Sequence, residues 1–288
     1  MERIKTCAGA CSDQRLGEIL RMAGRAALAG GEVLRQLYGK PHRVTHKGAI
    51  DLVTEADVAS EEAVLAVLNS FPSGATILAE ESSAAFSGPP AGTTWIIDPL
   101  DGTTNFAHGF PFFCVSIAFA DGPDALAGVV YAPMQDELFC ACRGGGTWLN
   151  GQAVRVSGVA SLGEALLATG FPYAIQEEVD GVMAALRSFV TACQGVRRAG
   201  AAALDLAYLS CGRVDGFWEI NLKPWDTAAG QLLVEEAGGR LSAMNGGEYT
   251  PYLPELLASN GLLHGEMVAR LAQFSRLGRS CPVRLENV

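Results

Sequence analysis

Two aspartates stand directly after an apolar run in the stretch WIIDPLDGTTN, and their type and spacing could hold a metal ion. They are Asp98 and Asp101. Pro99 fixes its own φ and favours an extended conformation at Asp98, while Gly102 tolerates a close backbone approach. Both carboxylates could then point into one space with the Leu100 carbonyl between them. Oxygen ligands without a nearby His or Cys favour Mg²⁺ or Mn²⁺ over zinc.

Other carboxylates stand where predicted strands end or helices begin: Asp51, Glu80, Glu81 and Asp226. Such a group would repel itself strongly if it converged without a cation, so convergence would require divalent metal. The spacing alone does not show convergence. Asp is also common in turns and at helix starts, where it only caps the chain.

The hydrophobic spacing predicts the elements that must position these residues. Helices are predicted at 16–37, 55–69, 177–192, 201–211, 227–237 and 265–277, and strands at 75–79, 94–97, 113–120, 125–132, 138–142, 146–149, 216–220 and 256–258. Thr54-x-x-Asp57 has the form of a capping box, so we assign Asp57 to a helix start and not to a metal shell. The first 12 residues are predicted to form a loose extension.

The composition limits the class of protein. The chain has 288 residues, of which 49% are apolar and 18% charged, and this indicates a well-packed globular protein. A formal net charge of -10 argues against direct binding to nucleic acid. Anionic phosphate could still bind if metal ions lay between it and the acidic residues.

The cysteine usage and the absence of a targeting pattern predict a cytoplasmic protein. The 8 cysteines include no pair with His at zinc-finger spacing, so reduced and mostly buried thiols are expected. No stretch reaches about 18 uncharged apolar residues, and the N-terminus lacks the apolar run of a signal peptide. No membrane contact is predicted.

Two motifs together resemble those of the inositol monophosphatase family. They are the stretch around Asp98 and Asp101, and Trp225-Asp-Thr-Ala-Ala-Gly230; the resemblance extends over about residues 15–275. It implies an α+β fold, the layered αβαβα sandwich of the inositol monophosphatase/fructose-1,6-bisphosphatase-like superfamily. We expect an N-terminal extension at residues 1–14 and a catalytic domain at residues 15–288. The catalytic domain is expected to have two α/β halves, approximately residues 15–155 and 156–288.

The resemblance also implies the role of each site residue. The first metal is expected on Glu80, Asp98 and the Leu100 carbonyl, and the second on Asp98, Asp101 and Asp226. Two to three Mg²⁺ ions are implied, for which Mn²⁺ could substitute, with Glu80 also contacting a third ion. The other expected roles are an Asp51–Thr103 pair that orients the attacking water, Gly102 and Thr103 amides that bind the phosphate, and Ala202 and Glu219 that contact polyol hydroxyls beside Asp101 and Asp226.

The function implied is Mg²⁺-dependent hydrolysis of myo-inositol 1-phosphate, or a related inositol monophosphate, to inositol and phosphate. Water attacks directly, without a phosphoenzyme. A lithium-sensitive homodimer is also implied. Two alternatives stay open: the same chemistry on fructose 1,6-bisphosphate, histidinol phosphate, NADP or a 3'-phosphoadenosine nucleotide, or a role as a partner of transcription or ribosome-assembly machinery.

Overall fold

The computed structural model describes residues 2–40, 44–46, 52–83, 88–172 and 175–277. Its helices are α1 (Glu2–Ala10), α2 (Gln14–Leu37), α3 (Glu55–Leu68), α4 (Thr103–Ala107), α5 (Ile175–Val190), α6 (Ala202–Ser210), α7 (Pro224–Glu236) and α8 (His264–Leu271). Its strands are β1 (Val44–His46), β2 (Leu52–Thr54), β3 (Thr76–Ala79), β4 (Thr93–Asp101), β5 (Cys114–Asp121), β6 (Asp124–Ala132), β7 (Glu137–Cys142), β8 (Thr147–Leu149), β9 (Gln152–Val154), β10 (Leu166–Thr169), β11 (Gly195–Arg197), β12 (Gly216–Ile220), β13 (Arg240–Ser242) and β14 (Glu255–Ser259).

Two sheets form the centre of the fold. A seven-stranded sheet runs in the order β3-β4-β5-β6-β7-β8-β9, and only its β3–β4 pair is parallel. A five-stranded sheet has the order β11-β10-β12-β14-β13 and mixes parallel and antiparallel pairs. A short antiparallel β1–β2 pair lies apart from both sheets.

Strand alternation fixes the layers, because successive side chains of a strand point to opposite faces. In β5, Val115 and Ile117 pack in the cluster that includes α2 and α3, while Cys114 and Ala118 pack against α6 and α7. The other sides of α6 and α7 contact the five-stranded sheet, whose far face is covered by α5 and α8. The order helix, sheet, helix, sheet, helix confirms the αβαβα sandwich.

Local sequence signals place the first long helices where they were predicted. The Asp13 carboxylate accepts the amides of Arg15 and Leu16 and caps α2. A complete capping box between Thr54 and Asp57 begins α3. None of the helices in the described residues combines the length and apolarity needed to cross a bilayer.

The N-terminal segment differs from the loose extension that was predicted for residues 1–12. Residues 2–10 form α1, in which Ile4, Cys7 and Ala8 are buried. These three share one helix face, and Ile4 packs directly on Gly24 of α2, where a Cβ would leave it no room. The apolar face therefore packs α1 onto the core. The sequence did not predict this helix because the segment is short.

The expectation of reduced cysteines is wrong for one pair. Cys11, just after α1, forms a disulfide with Cys142 at the end of β7, across a Cα–Cα distance of 6.0 Å. The docking of α1 brings these two positions within the separation that a disulfide spans. The free cysteines of the described residues are Cys7, Cys114, Cys140, Cys193 and Cys211.

Some element boundaries were also predicted incorrectly. Helix α7 begins at Pro224 and not at residue 227, because proline is well suited to the first helical position. Strand β10 was not predicted at all. Its four residues lie between two other strands, and burial on both sides leaves no alternating pattern to detect.

We expect Ile4→Ala to lower the free energy of unfolding by about 2 kcal/mol, because it opens a cavity between α1 and α2. Urea denaturation of the oxidised protein measures this. Val58→Ala is the matched control: the Val58 side chain is 47% exposed, and its truncation should change stability by less than about 0.5 kcal/mol. Equal stability of wild type and Ile4→Ala would contradict the docking of α1.

Candidate active site

The two motif aspartates lie at the end of β4, where the regular pairing of β4 with β5 breaks. Asp98 pairs with Ser116 and Asp101 with Cys114, and the register shifts between them. Asp98 is buried, and one of its carboxylate oxygens accepts the Leu100 amide at 2.9 Å. The irregular Asp-Pro-Leu-Asp segment thus folds back on itself instead of continuing a flat ladder.

The Asp101 carboxylate joins this segment to the start of α6. It accepts the amide of Ala202 at 3.2 Å and that of Ala203 at 2.7 Å. These amides lie in the first helical turn, where intrahelical acceptors are lacking and a negative charge is favoured. Cys114 also directs its thiol to Asp101, at 3.6 Å. Asp101 is thereby fixed between the two sheets.

Thr103 is oriented by a carboxylate that the sequence had assigned to a different role. Its hydroxyl donates to Asp57 at 2.8 Å and contacts the Leu100 carbonyl oxygen at 3.1 Å. The other oxygen of Asp57 accepts the amide and the hydroxyl of Thr54, both at 2.7 Å. Asp57 therefore caps α3 and holds Thr103 at the same time. Asp51, the expected partner of Thr103, lies outside the described residues.

The sequence alone did not identify this second role of Asp57. The residue at helix position N3 of a capping box is usually Glu or Gln, and here that position is filled by the shorter Asp. The buried side chain, 1% exposed, is hydrogen-bonded through both oxygens. The cap alone would not require burial on this scale.

The two remaining carboxylates of the predicted metal site, Glu80 and Asp226, enter the same cavity from two separate parts of the chain. Glu80 follows β3, and its amide bonds to the carbonyl of Ile97 on β4. Next to it, the Glu81 amide donates to the buried Glu61 carboxylate, a contact that the sequence did not suggest. Asp226 lies in the first turn of α7, where it accepts the Lys223 amide at 2.7 Å.

The cavity has a volume of about 320 Å³. The predicted site residues that line it are Glu80, Asp98, Leu100, Asp101, Gly102, Thr103, Ala202, Glu219 and Asp226. Glu81, which the sequence also nominated, is not among its lining residues. The basic side chains of Arg198 and Lys223 line it too. The residues that the sequence nominated separately are thus brought together, although they are up to 146 positions apart, from Glu80 to Asp226.

Negative charge dominates the floor of the cavity. Burial raises the pKa of Asp98 well above its usual range, and the charges of Glu80, Asp101 and Asp226 raise it further. Burial likewise raises the pKa of Asp101 to about 6, although the hydrogen bonds from Ala203, Cys114 and Ala202 oppose this. The folded chain alone therefore does not stabilise these carboxylates in their ionised form.

The donor set fits a hard divalent cation. Within the described ranges, no three His, Cys, Asp or Glu side chains are already closed around a common point as a metal cage. Four carboxylates nevertheless open into one cavity, two of them with pKa values raised by burial. A cation would remove their repulsion, and oxygen donors of this kind suit Mg²⁺ or Mn²⁺.

The opposite wall of the cavity differs in chemistry. Glu219 lies near the end of β12 and is partly buried. Burial raises the pKa of its carboxyl, as do the charges of Asp205 and Asp226, while Arg198 acts in the opposite direction. The Arg198 guanidinium lies over the ring of Phe171, 5.2 Å from its centroid. This wall offers one carboxyl group and one cation, and the carboxyl is close enough to Asp226 and Asp101 for their charges to act on it.

We expect Mg²⁺ to raise the melting temperature more at pH 7.5 than at pH 5.0. The pKa of Asp101 is 3.8 in an ordinary setting and about 6 when folded, so the folded state binds more protons in between. Below about pH 4 the raised pKa of Asp101 does not lower the stability of the metal-free protein. Stability is lost as the pH rises from about 4 to about 6, and the full loss persists at higher pH. A cation offsets that penalty where the carboxylates are ionised.

Differential scanning calorimetry with EDTA or with saturating Mg²⁺ measures the effect, which should reach about 5 °C at pH 7.5. Asp98→Asn is the comparison variant and should lose most of the shift. An equal shift at both pH values, retained in Asp98→Asn, would mean that the cation binds elsewhere.

Comparisons with known proteins agree with this geometry. The model of the inositol monophosphatase family matches residues 15–276. An inositol-1-monophosphatase of Mesorhizobium japonicum is 42% identical over 268 residues, which cover 92% of this chain and 98% of that protein. The protein named Nus factor SuhB of Salmonella typhimurium is 42% identical over 256 residues, covering 88% and 95%.

The fold comparison leads to the same family. The solved structure of inositol monophosphatase from Anabaena superposes with a TM-score of 0.80 at 41% identity, and the match covers 90% of this chain and 97% of that one. Both family motifs lie inside the matched range and contribute carboxylates to one cavity. From its sequence and its fold alike, the chain belongs to the inositol monophosphatase family and is a phosphatase.

Proposed function

We propose that this phosphatase hydrolyses myo-inositol 1-phosphate, or a related inositol monophosphate, with Mg²⁺ as its cofactor. The observation that carries the proposal is the convergence of Glu80, Asp98, Asp101 and Asp226 on one cavity that also holds Glu219. The carboxylates on the floor suit metal ions between protein and phosphate, and the opposite wall offers a group that can bond hydroxyls.

Glu80, Asp98 and the Leu100 carbonyl would hold one ion, and Asp98, Asp101 and Asp226 a second. Bound Mg²⁺ supplies Lewis acidity, which offsets charge on the phosphoryl oxygens and favours deprotonation of water. The Thr103 hydroxyl oxygen lies 3.1 Å from the Leu100 carbonyl oxygen, while its single proton is donated to Asp57 over the shorter distance of 2.8 Å. The same threonine therefore links the proposed first metal to the groups that orient water.

Asp57 is the carboxylate that we propose as the partner of Thr103. Because the Thr103 hydroxyl donates its proton to Asp57, its oxygen lone pairs remain available to accept a hydrogen bond from water. The water oxygen forms a bond to phosphorus while the bond from phosphorus to the polyol oxygen breaks. The proton lost by the water passes to Thr103 as Thr103 gives its own proton to Asp57, and the leaving polyol oxygen takes a proton from a solvent water. Asp51 stays a prediction for this role.

Helix α4 supports the proposed phosphate site. Gly102, with φ of 94°, precedes α4 in a left-handed conformation that favours glycine. A Cβ there would meet the Phe112 carbonyl oxygen at 3.0 Å. The amides of Gly102 and Thr103 lie at the start of the helix, where amides lack intrahelical acceptors, and we propose that they bind a phosphate oxygen. Ala202 and Glu219 would contact the polyol.

The size of the cavity favours a small substrate. Its volume of about 320 Å³ lies at the lower end of the range for small-molecule sites, roughly 300–1,000 Å³. An inositol monophosphate suits this space better than NADP or a 3'-phosphoadenosine nucleotide. Fructose 1,6-bisphosphate and histidinol phosphate are closer alternatives, and they share the proposed metal chemistry.

We expect Mg²⁺-dependent phosphate release to be strongest on myo-inositol 1-phosphate and to fall by at least about 10³-fold in Asp98→Asn, because that change removes a ligand shared by both proposed ions. Phosphate is measured over a panel of polyol, sugar and nucleotide phosphates, with Mg²⁺ or with EDTA. Asp124→Asn is the matched control, since Asp124 is exposed on β6 and should keep full activity.

The outcomes of this panel separate the alternatives. Preference for another ester would keep the chemistry and change the substrate. No metal-dependent release from any ester would overturn the proposed activity. A relative named Nus factor SuhB favours one other role, that of a transcription partner. A stable complex of the inactive chain with RNA polymerase would then support it.

We expect Asp57→Asn to lower kcat by about 10²-fold or more with a smaller change in KM, because Thr103 would lose its carboxylate partner. Steady-state kinetics on the preferred ester measure this. Thr54→Ala is the control for the capping role of Asp57. It removes the Thr54 hydroxyl from the capping box, costs about 1 kcal/mol of stability and leaves the bond between Asp57 and Thr103 in place.

If Thr54→Ala lowered kcat as much as Asp57→Asn, the loss would come from the helix start and not from Thr103. Lithium sensitivity and a homodimer, which the family resemblance implies, stay predictions, and so does the cytoplasmic location expected from the sequence.

A further inference from the structure

Gly170 and Glu219 are in close contact at the part of the cavity where we propose that the polyol binds. A Cβ built on Gly170 would overlap the Glu219 carboxyl carbon and both of its oxygens, well inside van der Waals contact. The carboxylate therefore occupies the space that any side chain at position 170 would need. Both residues line the active-site cavity.

The strand register explains this contact. Strands β10 and β12 run parallel, with Thr169 beside Trp218. The Thr169 hydroxyl donates to the Trp218 carbonyl at 2.8 Å and fixes this pairing. Gly170 and Glu219 are the next residues along the two strands. The Glu219 side chain consequently lies directly over Gly170, and only a residue without a side chain leaves room for it.

The backbone does not require glycine at this position. Gly170 is not among the glycines with positive φ, unlike Gly102 or Gly200, so alanine could adopt its conformation. The Glu219 carboxylate is thus the reason for glycine here. A methyl group at position 170 would move the end of a flexible side chain and would not need to shift the backbone.

A second cavity offers the displaced carboxylate somewhere to go. It has a volume of about 210 Å³, is lined by Trp218 and Met244, and shares Gly170 and Glu219 with the active-site cavity. Gly170, Glu219 and Ile220 line both cavities, so the two cavities meet at these residues. A substitution at Gly170 can turn the carboxylate away from the polyol side without unfolding the protein.

We propose that Gly170 is a positioning residue that determines specificity: its missing side chain holds the Glu219 carboxylate across the active-site cavity, where it bonds a hydroxyl of a polyol phosphate. This inference rests on the proposed function. The glycine selects for substrates with hydroxyls on the leaving group, while the acidic floor acts on the phosphate that all esters share.

The test is Gly170→Ala with two substrates. For myo-inositol 1-phosphate, kcat/KM should fall by at least about tenfold, mainly through KM, because a hydrogen bond to a charged or strongly polar group is lost. For phenyl phosphate, whose leaving group has no further hydroxyl, kcat/KM should change by less than about twofold. Gly158→Ala is the matched control, since a Cβ on Gly158 meets nothing within 4 Å and Gly158 lines neither cavity.

A double variant separates positioning from general damage. In Glu219→Ala the carboxylate is absent, so adding Gly170→Ala should cause no further loss. Losses that multiply in the double variant, or an equal fall on both substrates, would overturn the proposal. A melting temperature of Gly170→Ala within about 2 °C of wild type checks that the protein folds.

One readout does not depend on phosphatase activity. In a crystal structure of Gly170→Ala, the Glu219 carboxylate should turn toward the second cavity. If it stayed in place, the inference would fail whatever the enzyme hydrolyses. If wild type released no phosphate from any ester while the carboxylate moved as expected, the proposed function would fail and the packing argument would stand.

Discussion

The bond between the Asp101 carboxylate and the first amides of α6 is the contact on which the site depends. It ties the broken end of β4 to a helix that packs between the two sheets. Asn105 reinforces it, because its side-chain amide donates to Phe112 and to Ala199 across the same junction. Three carboxylates of the acidic floor lie at the ends of β3 and β4, whereas Glu219 lies on β12 of the other sheet, so these bonds join the two parts of the site.

The same contact explains why the acidic floor can exist in a stable fold. Like charges in one buried space destabilise each other unless hydrogen bonds or a cation offset them. Amides supply part of this: Leu100 bonds Asp98, Ala203 bonds Asp101 and Lys223 bonds Asp226. These bonds orient the carboxylates but do not restore an ordinary pKa to Asp98 or Asp101. The remaining electrostatic cost is what binding of a divalent cation would relieve.

Hydrophobic periodicity located most of the helices and strands because it is a local signal, whereas the layered fold and the roles of the site residues were implied by the family resemblance. Sequence reasoning found the capping box of α3, for example, yet missed that Asp57 also holds Thr103, which is 46 positions away. One oxygen of Asp57 satisfied the local pattern, and the second could be assigned only in three dimensions. Helix α1 was missed for a related reason: a short helix has little stability of its own and depends on packing, here of Ile4 on Gly24.

Gly170 shows the same limit of sequence-based prediction, here for a steric contact and not for a hydrogen bond. A glycine in a sequence suggests a turn, and Gly102 with its positive φ fits that interpretation. Gly170 has no such backbone need, and its meaning depends on a carboxylate 49 positions later on a neighbouring strand. Phosphate chemistry thus rests on residues that motifs reveal, whereas selection among leaving groups rests on packing between strands. Relatives that keep the motifs can therefore differ in substrate through the wall alone.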